Sequence, residues 1–389
     1  MMCQHIACHA GLFKGKKVSH MGNRIQYLDT LRASAAYVGM LAAAVSNFMV
    51  FHPLHAYVPA ERQQCWGGFD IFYGFAIGVV VPVIFFLSAY FGASSLRIHM
   101  PKPYFRQKWA RLGWPWLIGT LLLGTELIYL ASLRCGTPAD FIIPGTVHEA
   151  ALVYFQSPFW FLALLVLFHL ILTGIKAWKH TIFQQRRNEA PSWLVLAGFY
   201  IIHAAIAIGA AALAVTAGGH PAVYIVYIAC LGAFYFCLGV YAFKRRWFTP
   251  GGYTPSVWCL IPAILACIVY VAGSPAVTVL CLFVWGSPAA ACILPIWGAV
   301  LSLPMLMGLL AAFAKWNNNE QRKKERLFIA LAYPLYVLSD TLLQNTAYAL
   351  APLHIAAPLK LVLTLALSLL YGYMICKYAL FHLPCFKRH

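Results

Sequence analysis

The sequence predicts an all-α protein, a polytopic membrane helical bundle of about ten transmembrane helices. Of its 389 residues, 62% are hydrophobic and only 10% are charged, whereas a soluble domain carries about 25% charged residues. The mean hydropathy is +0.74. The apolar residues form stretches long enough to cross a bilayer, and the loops between them alternate between rich and poor in cations. These observations together predict one membrane bundle.

The spans follow from the length of each apolar stretch, because a transmembrane helix needs about 20 mostly apolar residues. The predicted spans are 27–51, 71–95, 112–133, 158–177, 193–216, 222–243, 255–273, 290–314, 327–350 and 359–381. We interpret 276–288, which is apolar, short and bounded by prolines, as a re-entrant or interfacial piece. The predicted organisation is a basic tail at 1–26, one membrane domain at 27–381 and a second tail at 382–389.

The distribution of Lys and Arg predicts the orientation. With both termini in the cytoplasm, only four of the 28 cations fall outside the cytoplasmic tails and loops: Arg32, Arg62, Arg134 and Lys360. Cytoplasmic loops of membrane proteins are enriched in Lys and Arg, so we expect a multi-pass protein with cytoplasmic termini. The net charge of +18 then follows from topology and from attraction to anionic lipid. We therefore expect the bilayer, and not nucleic acid, as a partner.

Motifs of cofactor and metal chemistry are missing from the sequence. It contains no Walker motif, no GxGxxG leading into a helix and no HExxH. The 12 cysteines lie mostly inside apolar segments and show no CxxC or Cys/His metal spacing. Buried membrane cysteines usually behave as small apolar residues. We therefore predict no metal site and no bound cofactor.

A few ionisable residues fall inside the predicted spans, where they are costly and usually mark a function or a partner. Asp29 and Arg32 open the first span at i, i+3 spacing, so they can pair on one helix face. Either this pair anchors the span at the interface or it belongs to a substrate site. Glu126 and Asp340 lie near the outer ends of the third and ninth spans, where each reaches the surface or lines a polar cavity.

A basic cluster precedes the third span. Arg106, Lys108 and Arg111 stand immediately before the membrane on the predicted cytoplasmic side. An ordinary positive-inside cluster explains them without a function. The alternative is a site for an anionic cytoplasmic ligand such as the phosphates of coenzyme A, because guanidinium groups bind phosphate in a bidentate manner.

Six stretches, in their order along the chain, resemble the membrane acyltransferase-3 family. The branch most similar is the one that transfers succinyl groups to periplasmic glucans. No single motif is decisive, but their collinearity extends over most of the chain. The stretches are YLDTLRA, PVIFFLSAYFGASSLR, FRQKWARLGWPWLIG, FWFLALLVLFHLI, FYFCLGVYAFKRRW and AYPLYVLSDTLL.

The resemblance implies a bacterial inner-membrane enzyme that takes an acyl group from cytoplasmic acyl-CoA. It would pass that group to a hydroxyl of a periplasmic or cell-surface glycan, through ten spans around a channel open to both faces. Acyl-CoA would be the donor substrate and the glycan the acceptor. Arg32 would organise the site or the donor, and Arg106 and Arg111 would lie near the coenzyme A phosphates. The substrate-binding candidates are Asp29, Arg32, Arg106, Arg111, Glu126 and Trp160.

The sequence departs from the family pattern at its mechanistic centre. The resemblance implies a histidine about eleven residues after Arg32, acting as general base or acyl shuttle, but that position is Ala43. The span-nine pattern places a histidine where Ser339 stands, and the span-four pattern places one where Pro158 stands. Because three expected histidines are absent from one chain, a systematic departure from the family pattern explains their absence better than misalignment does.

Catalysis would then need another acid–base group within hydrogen-bond reach of the acceptor hydroxyl. His52 and His55 lie roughly 13 to 18 Å beyond position 43 if the helix continues at 1.5 Å per residue, unless the chain turns back. Asp340, directly after Ser339, is the other catalytic candidate. We interpret His169 and His203 as hydrogen-bonded bundle histidines and not as ligands.

Two functional interpretations stay open at this point. In the first, the protein is an active acyltransferase with a rearranged acid–base group. In the second, it is a catalytically degenerate relative that serves as a transporter, partner or regulator in surface-glycan modification. An ion-coupled transporter is the weaker third possibility, because paired repeats with broken helices are not visible in the sequence.

Overall fold

The computed structural model describes residues 26–49, 65–127, 129–130, 159–185, 189–217, 221–249, 251–285, 289–316 and 323–382. In these ranges the regular structure is helical and contains no strand. Eight of the described helices are long and apolar enough to cross a membrane. The predicted fold class, an all-α polytopic membrane bundle, is confirmed. Both tails beyond 26 and 382, His52, His55 and Pro158 lie outside the described residues.

The helices follow the predicted spans closely. They are α1 (Gln26–Val45), α2 (Gly67–Ile98), α3 (Pro101–Lys108), α4 (Trp114–Ile118), α5 (Phe159–Trp178), α6 (Trp193–Thr216), α7 (Pro221–Lys244), α8 (Leu260–Trp285), α9 (Ala289–Trp316), α10 (Lys323–Ala349) and α11 (Ala357–Tyr378). A 3₁₀ turn, Ser46–Phe48, continues α1. The count of ten spans stays a prediction, since it includes α1 and the third span beside the eight helices above.

Two regions differ from the prediction. The helix that leads into the third span begins before the membrane, at Pro101, and two π-helical segments, Trp109–Gly113 and Gly119–Gly124, flank α4. The apolar stretch predicted as a re-entrant piece instead continues α8 as far as Trp285, beyond Pro275. A membrane helix tolerates a proline because neighbouring groups satisfy the carbonyl that it frees, so Pro275 does not end α8.

Burial separates central helices from peripheral ones. In α2, 56% of the most apolar window is buried, against 17% in α6. A helix that is apolar on all sides must be covered by protein or by lipid. The buried α2 packs against α1, α7 and α9, so it forms the centre of the bundle, whereas the exposed apolar side chains of α6 and α8 face the hydrocarbon.

One end of the bundle, which we name the basic face, gathers the helix ends that carry cations. Tyr90 near the end of α2 donates a hydrogen bond to the Trp247 carbonyl, at 2.6 Å. Arg97, two turns further, bonds Gln185 at 2.7 Å, and Arg245 pairs with Glu189. Tyr27 of α1 packs edge-to-face on Phe248, with 6.3 Å between ring centroids. The ends of α1, α2, α5, α6 and α7 that were predicted to share a side of the membrane therefore meet.

Helices α1 and α10 run in parallel away from the basic face. Ala33 and Ala36 pack against Ile329 and Ala332. Further along, Val45 and Phe48 pack in one cluster with Leu343. The two helices therefore run in the same direction side by side. Residue n of α1 lies near the level of residue n + 296 or n + 297 of α10.

Candidate functional site

Asp29 and Arg32 form the predicted ion pair, with 3.1 Å between Arg32 Nη2 and Asp29 Oδ1. The Asp29 side chain is 5% exposed and that of Arg32 is 45% exposed. The Arg32 guanidinium lies 5.5 Å from the ring centroid of Phe91 on α2, within cation–π range. The carboxylate is therefore covered, whereas the guanidinium is half exposed.

Lys108, at the end of α3, belongs to the same cationic region. Burial, with the nearby positive charges of Arg32 and Arg111, lowers the pKa of Lys108 to about 8. Its ammonium group lies 5.6 Å from the ring centroid of Tyr104. We name Arg32, Lys108 and Arg111 the cation layer. Two positive charges near Lys108 disfavour its charged form, and a bound anion would relieve that repulsion.

The cation layer contacts α10 through Arg111. The Tyr333 hydroxyl donates a hydrogen bond of 2.6 Å to the Arg111 carbonyl. That carbonyl belongs to the first π-helical segment, and π segments occur mostly as short bulges, frequently at functional sites. Arg106 lies apart from the layer, on the exposed side of α3. There it lines an open groove of about 500 Å³ together with Lys102, Pro103, Gln107 and Ala110.

Asp340 lies at the level where the family histidine was expected. Tyr336 packs against Gly39, with Cε2 3.3 Å from the point that a β-carbon would occupy. Ala43 and Asp340 each follow one helical turn later on parallel helices. Asp340 is half-buried and lies one turn after Tyr336 on α10. The structure therefore brings Asp340 towards position 43, a proximity that spacing along the sequence did not reveal.

Three of these positions form one stripe on α1. Arg32, Gly39 and Ala43 recur at helical spacing and so share a face. Eleven residues separate Arg32 from Ala43, which is roughly 16 Å along a helix. On α10, Tyr333 and Asp340 are likewise seven residues apart on one face. The cation layer and the Asp340 level are thus connected along two neighbouring helices.

Glu126 and Trp160 are placed away from Asp340's face. Asn345 Nδ2 donates a hydrogen bond to Glu126 Oε1 and another of 2.9 Å to the Thr341 carbonyl. Glu126 therefore connects the third span to α10. Trp160 is half-buried against the main core and packs edge-to-face on Phe161, with 6.1 Å between ring centroids. Substrate-binding roles for both residues stay predictions.

The two bundle histidines are hydrogen-bonded, as predicted. His169 Nδ1 lies 2.8 Å from the Tyr104 hydroxyl and His169 Nε2 lies 3.0 Å from Ser88 Oγ. His203 Nδ1 lies 3.3 Å from the Tyr235 hydroxyl. The Ser88–His169–Tyr104 cluster joins α2, α3 and α5 beside Lys108, and no spacing along the chain predicted it.

The expected histidine positions that are described have ordinary local contacts. Ser339 is buried and donates a hydrogen bond of 2.7 Å to the Tyr336 carbonyl. The Ala43 carbonyl accepts a hydrogen bond of 2.8 Å from Ser46 Oγ. Among the described residues, no group of three or more His, Cys, Asp and Glu side chains is arranged to hold a metal ion.

The fold and this site together define a class: a polytopic helical membrane protein with a cation layer on one side of an acidic residue in the bundle. The model of the acyltransferase domain of the Acyl_transf_3 family matches residues 25–371. The chain therefore belongs to the acyltransferase-3 family of membrane proteins. No curated protein and no solved structure matches it.

Proposed function

We propose that this protein transfers an acyl group from cytoplasmic acyl-CoA to a hydroxyl of a periplasmic or cell-surface glycan, in the bacterial inner membrane. Succinyl transfer to a periplasmic glucan is the specific reaction that the sequence resemblance favours. The basic face would be cytoplasmic, as the positive-inside rule requires. Asp340 would be the acid–base residue in place of the missing histidine.

The observation that carries this proposal is the distance between the cation layer and the Asp340 level. A coenzyme A phosphate held by Arg32, Lys108 and Arg111 would place the thioester at the far end of the pantetheine arm. That arm is comparable to about five extended residues, or roughly 16 Å. The same length separates Arg32 from Ala43 along α1, and Ala43 shares its level with Asp340. The donor's reactive carbon would therefore arrive beside the carboxylate.

The chemistry at that level needs one proton acceptor. The Asp340 carboxylate would accept the proton of the acceptor hydroxyl while the hydroxyl oxygen attacks the thioester carbonyl carbon. The carbon–sulfur bond would then break, and the proton would pass from Asp340 to the departing thiolate. Proton transfer of this kind contributes about 10²- to 10⁴-fold to the rate.

The test uses purified full-length protein, radiolabelled succinyl-CoA and a gluco-oligosaccharide as acceptor. We expect label in the oligosaccharide with the native protein. Asp340→Asn should lower turnover by about 10²- to 10⁴-fold while the Kd for succinyl-CoA stays within twofold. Glu325→Gln, near the basic end of the same helix, is the matched control and should retain native turnover.

The same assay decides the alternative function. Succinyl-CoA binding without any transfer by the native protein would favour the catalytically degenerate interpretation, with a role as transporter, partner or regulator. Loss of succinyl-CoA binding altogether would contradict the donor site and so the proposal. Equal turnover in native protein and Asp340→Asn would contradict the assignment of the base.

A further inference from the structure

The Ser88–His169–Tyr104 cluster holds its histidine between two helices. His169 is fully buried, Tyr104 is 1% exposed and Ser88 is half-buried. His169 Nδ1 lies 2.8 Å from the Tyr104 hydroxyl on α3, and His169 Nε2 lies 3.0 Å from Ser88 Oγ on α2. A neutral imidazole has one donor and one acceptor nitrogen, and a hydroxyl can take either role. Both ring nitrogens are therefore satisfied, and the imidazole is fixed from both sides.

Close packing also fixes the ring of Tyr104. The rings of Tyr104 and His169 meet edge to face, with 5.9 Å between their centroids. A β-carbon at Gly92 of α2 would lie 2.9 Å from the Tyr104 hydroxyl, so the backbone of α2 closes this side of the ring. A side chain in such a closely filled space keeps one orientation. The direction of the Tyr104 ring is therefore set by His169 and by α2.

Tyr104 in turn contacts Lys108 of the cation layer. The two residues are one turn apart on α3 and so are neighbours on the helix surface. The Lys108 ammonium group lies 5.6 Å from the ring centroid of Tyr104, within the range of about 6 Å for a cation–π contact. In the described part of the chain no carboxylate pairs with Lys108. The ring of Tyr104 is thus an attractive contact that directs this ammonium group.

The surroundings of Lys108 make its position measurable. Burial and the positive charges of Arg32 and Arg111 lower its pKa to about 8. The charged and titratable groups of this region are Asp29, Arg32, Tyr104, Arg111, His169 and Tyr333. An ammonium group that moved from this place into water would regain the ordinary pKa of a lysine. The titration of Lys108 therefore reports where its ammonium group lies.

We propose that Ser88, His169 and Tyr104 are positioning residues that hold the Lys108 ammonium group in the cation layer. This inference rests on the proposed function, because the cation layer is where the phosphates of the donor would bind. His169 acts at a distance from the donor: it fixes Tyr104, and Tyr104 directs Lys108. A histidine that the sequence indicates only as a bonded part of the bundle would thus control donor affinity.

Titration of Lys108 provides a test that needs no substrate. The lysines of the purified full-length protein are methylated with a ¹³C-labelled reagent, and NMR follows the Lys108 signal, which Lys108→Arg identifies by its loss. We expect Tyr104→Phe and His169→Gln to raise the pKa of Lys108 towards the ordinary lysine value, because the ammonium group would then reach water. Tyr235→Phe is the matched control, since it removes a hydroxyl 3.3 Å from the other bundle histidine, His203. It should leave the titration unchanged.

Donor binding provides the second measurement. Tyr104→Phe and His169→Gln should raise the Kd for succinyl-CoA at pH 7 by roughly two- to fivefold, which is the effect of one exposed cation–π contact. The pH at which binding weakens should rise together with the pKa of Lys108. Tyr235→Phe should change neither quantity. Thermal unfolding checks that all three variants are folded.

The outcomes separate this inference from the proposed function. An unchanged Lys108 titration in folded Tyr104→Phe and His169→Gln would overturn the inference, and an equal shift in Tyr235→Phe would overturn it as well. If the native protein binds no succinyl-CoA, the proposed function fails, whereas the Lys108 titration still judges whether the cluster positions the lysine. If His169→Gln does not fold, Tyr104→Phe and Ser88→Ala decide by the same titration, with a smaller rise expected for Ser88→Ala.

Discussion

Tyr336 of α10 packs its ring edge against Gly39 of α1, and Cε2 lies 3.3 Å from the point that a β-carbon would occupy. Val80 of α2 meets the same point at 3.5 Å. Because α1 and α10 run in parallel, this contact aligns Ala43 with Asp340 one turn later. Ala43, where the family histidine is missing, and Asp340 thus lie at one level of the bundle.

Placing a histidine at position 43 tests that alignment. In an Asp340→Asn background, Ala43→His should restore transfer by tenfold or more, because the imidazole would occupy the same level as the lost carboxylate. Leu41→His in the same background is the control and should restore nothing, since it points to another side of α1. Transfer of labelled succinyl groups to the oligosaccharide measures both. Equal activity in the two histidine variants would argue against the shared level.

Lys108 predicts a pH dependence of donor binding. Its pKa is lowered to about 8, so it is charged below that pH and loses its charge as the pH rises through 8. An anionic donor favours the charged form, so the Kd for succinyl-CoA should rise between pH 7 and 9. Lys108→Arg stays charged throughout and should bind with a much flatter pH profile. Identical profiles for the two proteins would contradict a role for Lys108 in holding the donor.

Arg32 should contribute to donor affinity more than an arginine at the outer rim of the basic face. Arg32→Gln should raise the Kd for succinyl-CoA by roughly 10- to 100-fold, as loss of a charged hydrogen bond does. Arg97→Gln, which loses only the bond to Gln185, should change that Kd by less than twofold. Thermal unfolding must accompany the measurement, because Asp29 is buried beside Arg32. Equal effects of the two substitutions would point to general charge attraction instead of a site.

The hydrogen bond between Glu126 and Asn345 favours a structural role for Glu126 over the substrate-binding role that was predicted, and the two roles can be tested apart. Glu126→Gln keeps an oxygen that can accept from Asn345, so it should leave acceptor KM and the melting temperature nearly unchanged. Asn345→Ala and Glu126→Ala should each lower stability, with a coupling of about 1 kcal/mol in a double-mutant cycle. A severalfold higher acceptor KM in Glu126→Gln would instead show that the carboxylate contacts substrate.

Gly92 has a close contact that makes the Ser88–His169–Tyr104 cluster testable. A β-carbon there would lie 2.8 Å from His169 Cε1 and 2.9 Å from the Tyr104 hydroxyl. Gly92→Ala should therefore destabilise the protein by about 1–3 kcal/mol through overpacking. Gly174→Ala, on the same helix as His169 and with nothing within 4 Å of its β-carbon position, should be neutral or stabilising by up to about 1 kcal/mol. Thermal unfolding measures both effects. A lower melting temperature for Gly174→Ala than for Gly92→Ala would contradict the close contact at Gly92.

Much of the fold was predictable because the bilayer imposes simple rules. Backbone groups in hydrocarbon must be satisfied within a helix, so apolar length alone located α2, α5 and α7 to within a few residues. It could not locate the two π-helical segments around α4 or the continuation of α8 past Pro275. Those depend on how neighbouring helices satisfy freed backbone groups, and neighbours are not visible in a linear pattern.

The sequence by itself determined the membrane class, the family resemblance, the Asp29–Arg32 pair and the absence of the expected histidine at Ala43. Spacing along one helix is enough for each of these. Only the tertiary structure decided that Asp340 shares a level with Ala43 and that Glu126 is bonded to Asn345. The physical reason is that the relative height of two helices is set by side-chain packing, such as Tyr336 against Gly39. Packing depends on residues about 300 positions apart, and no local periodicity encodes it.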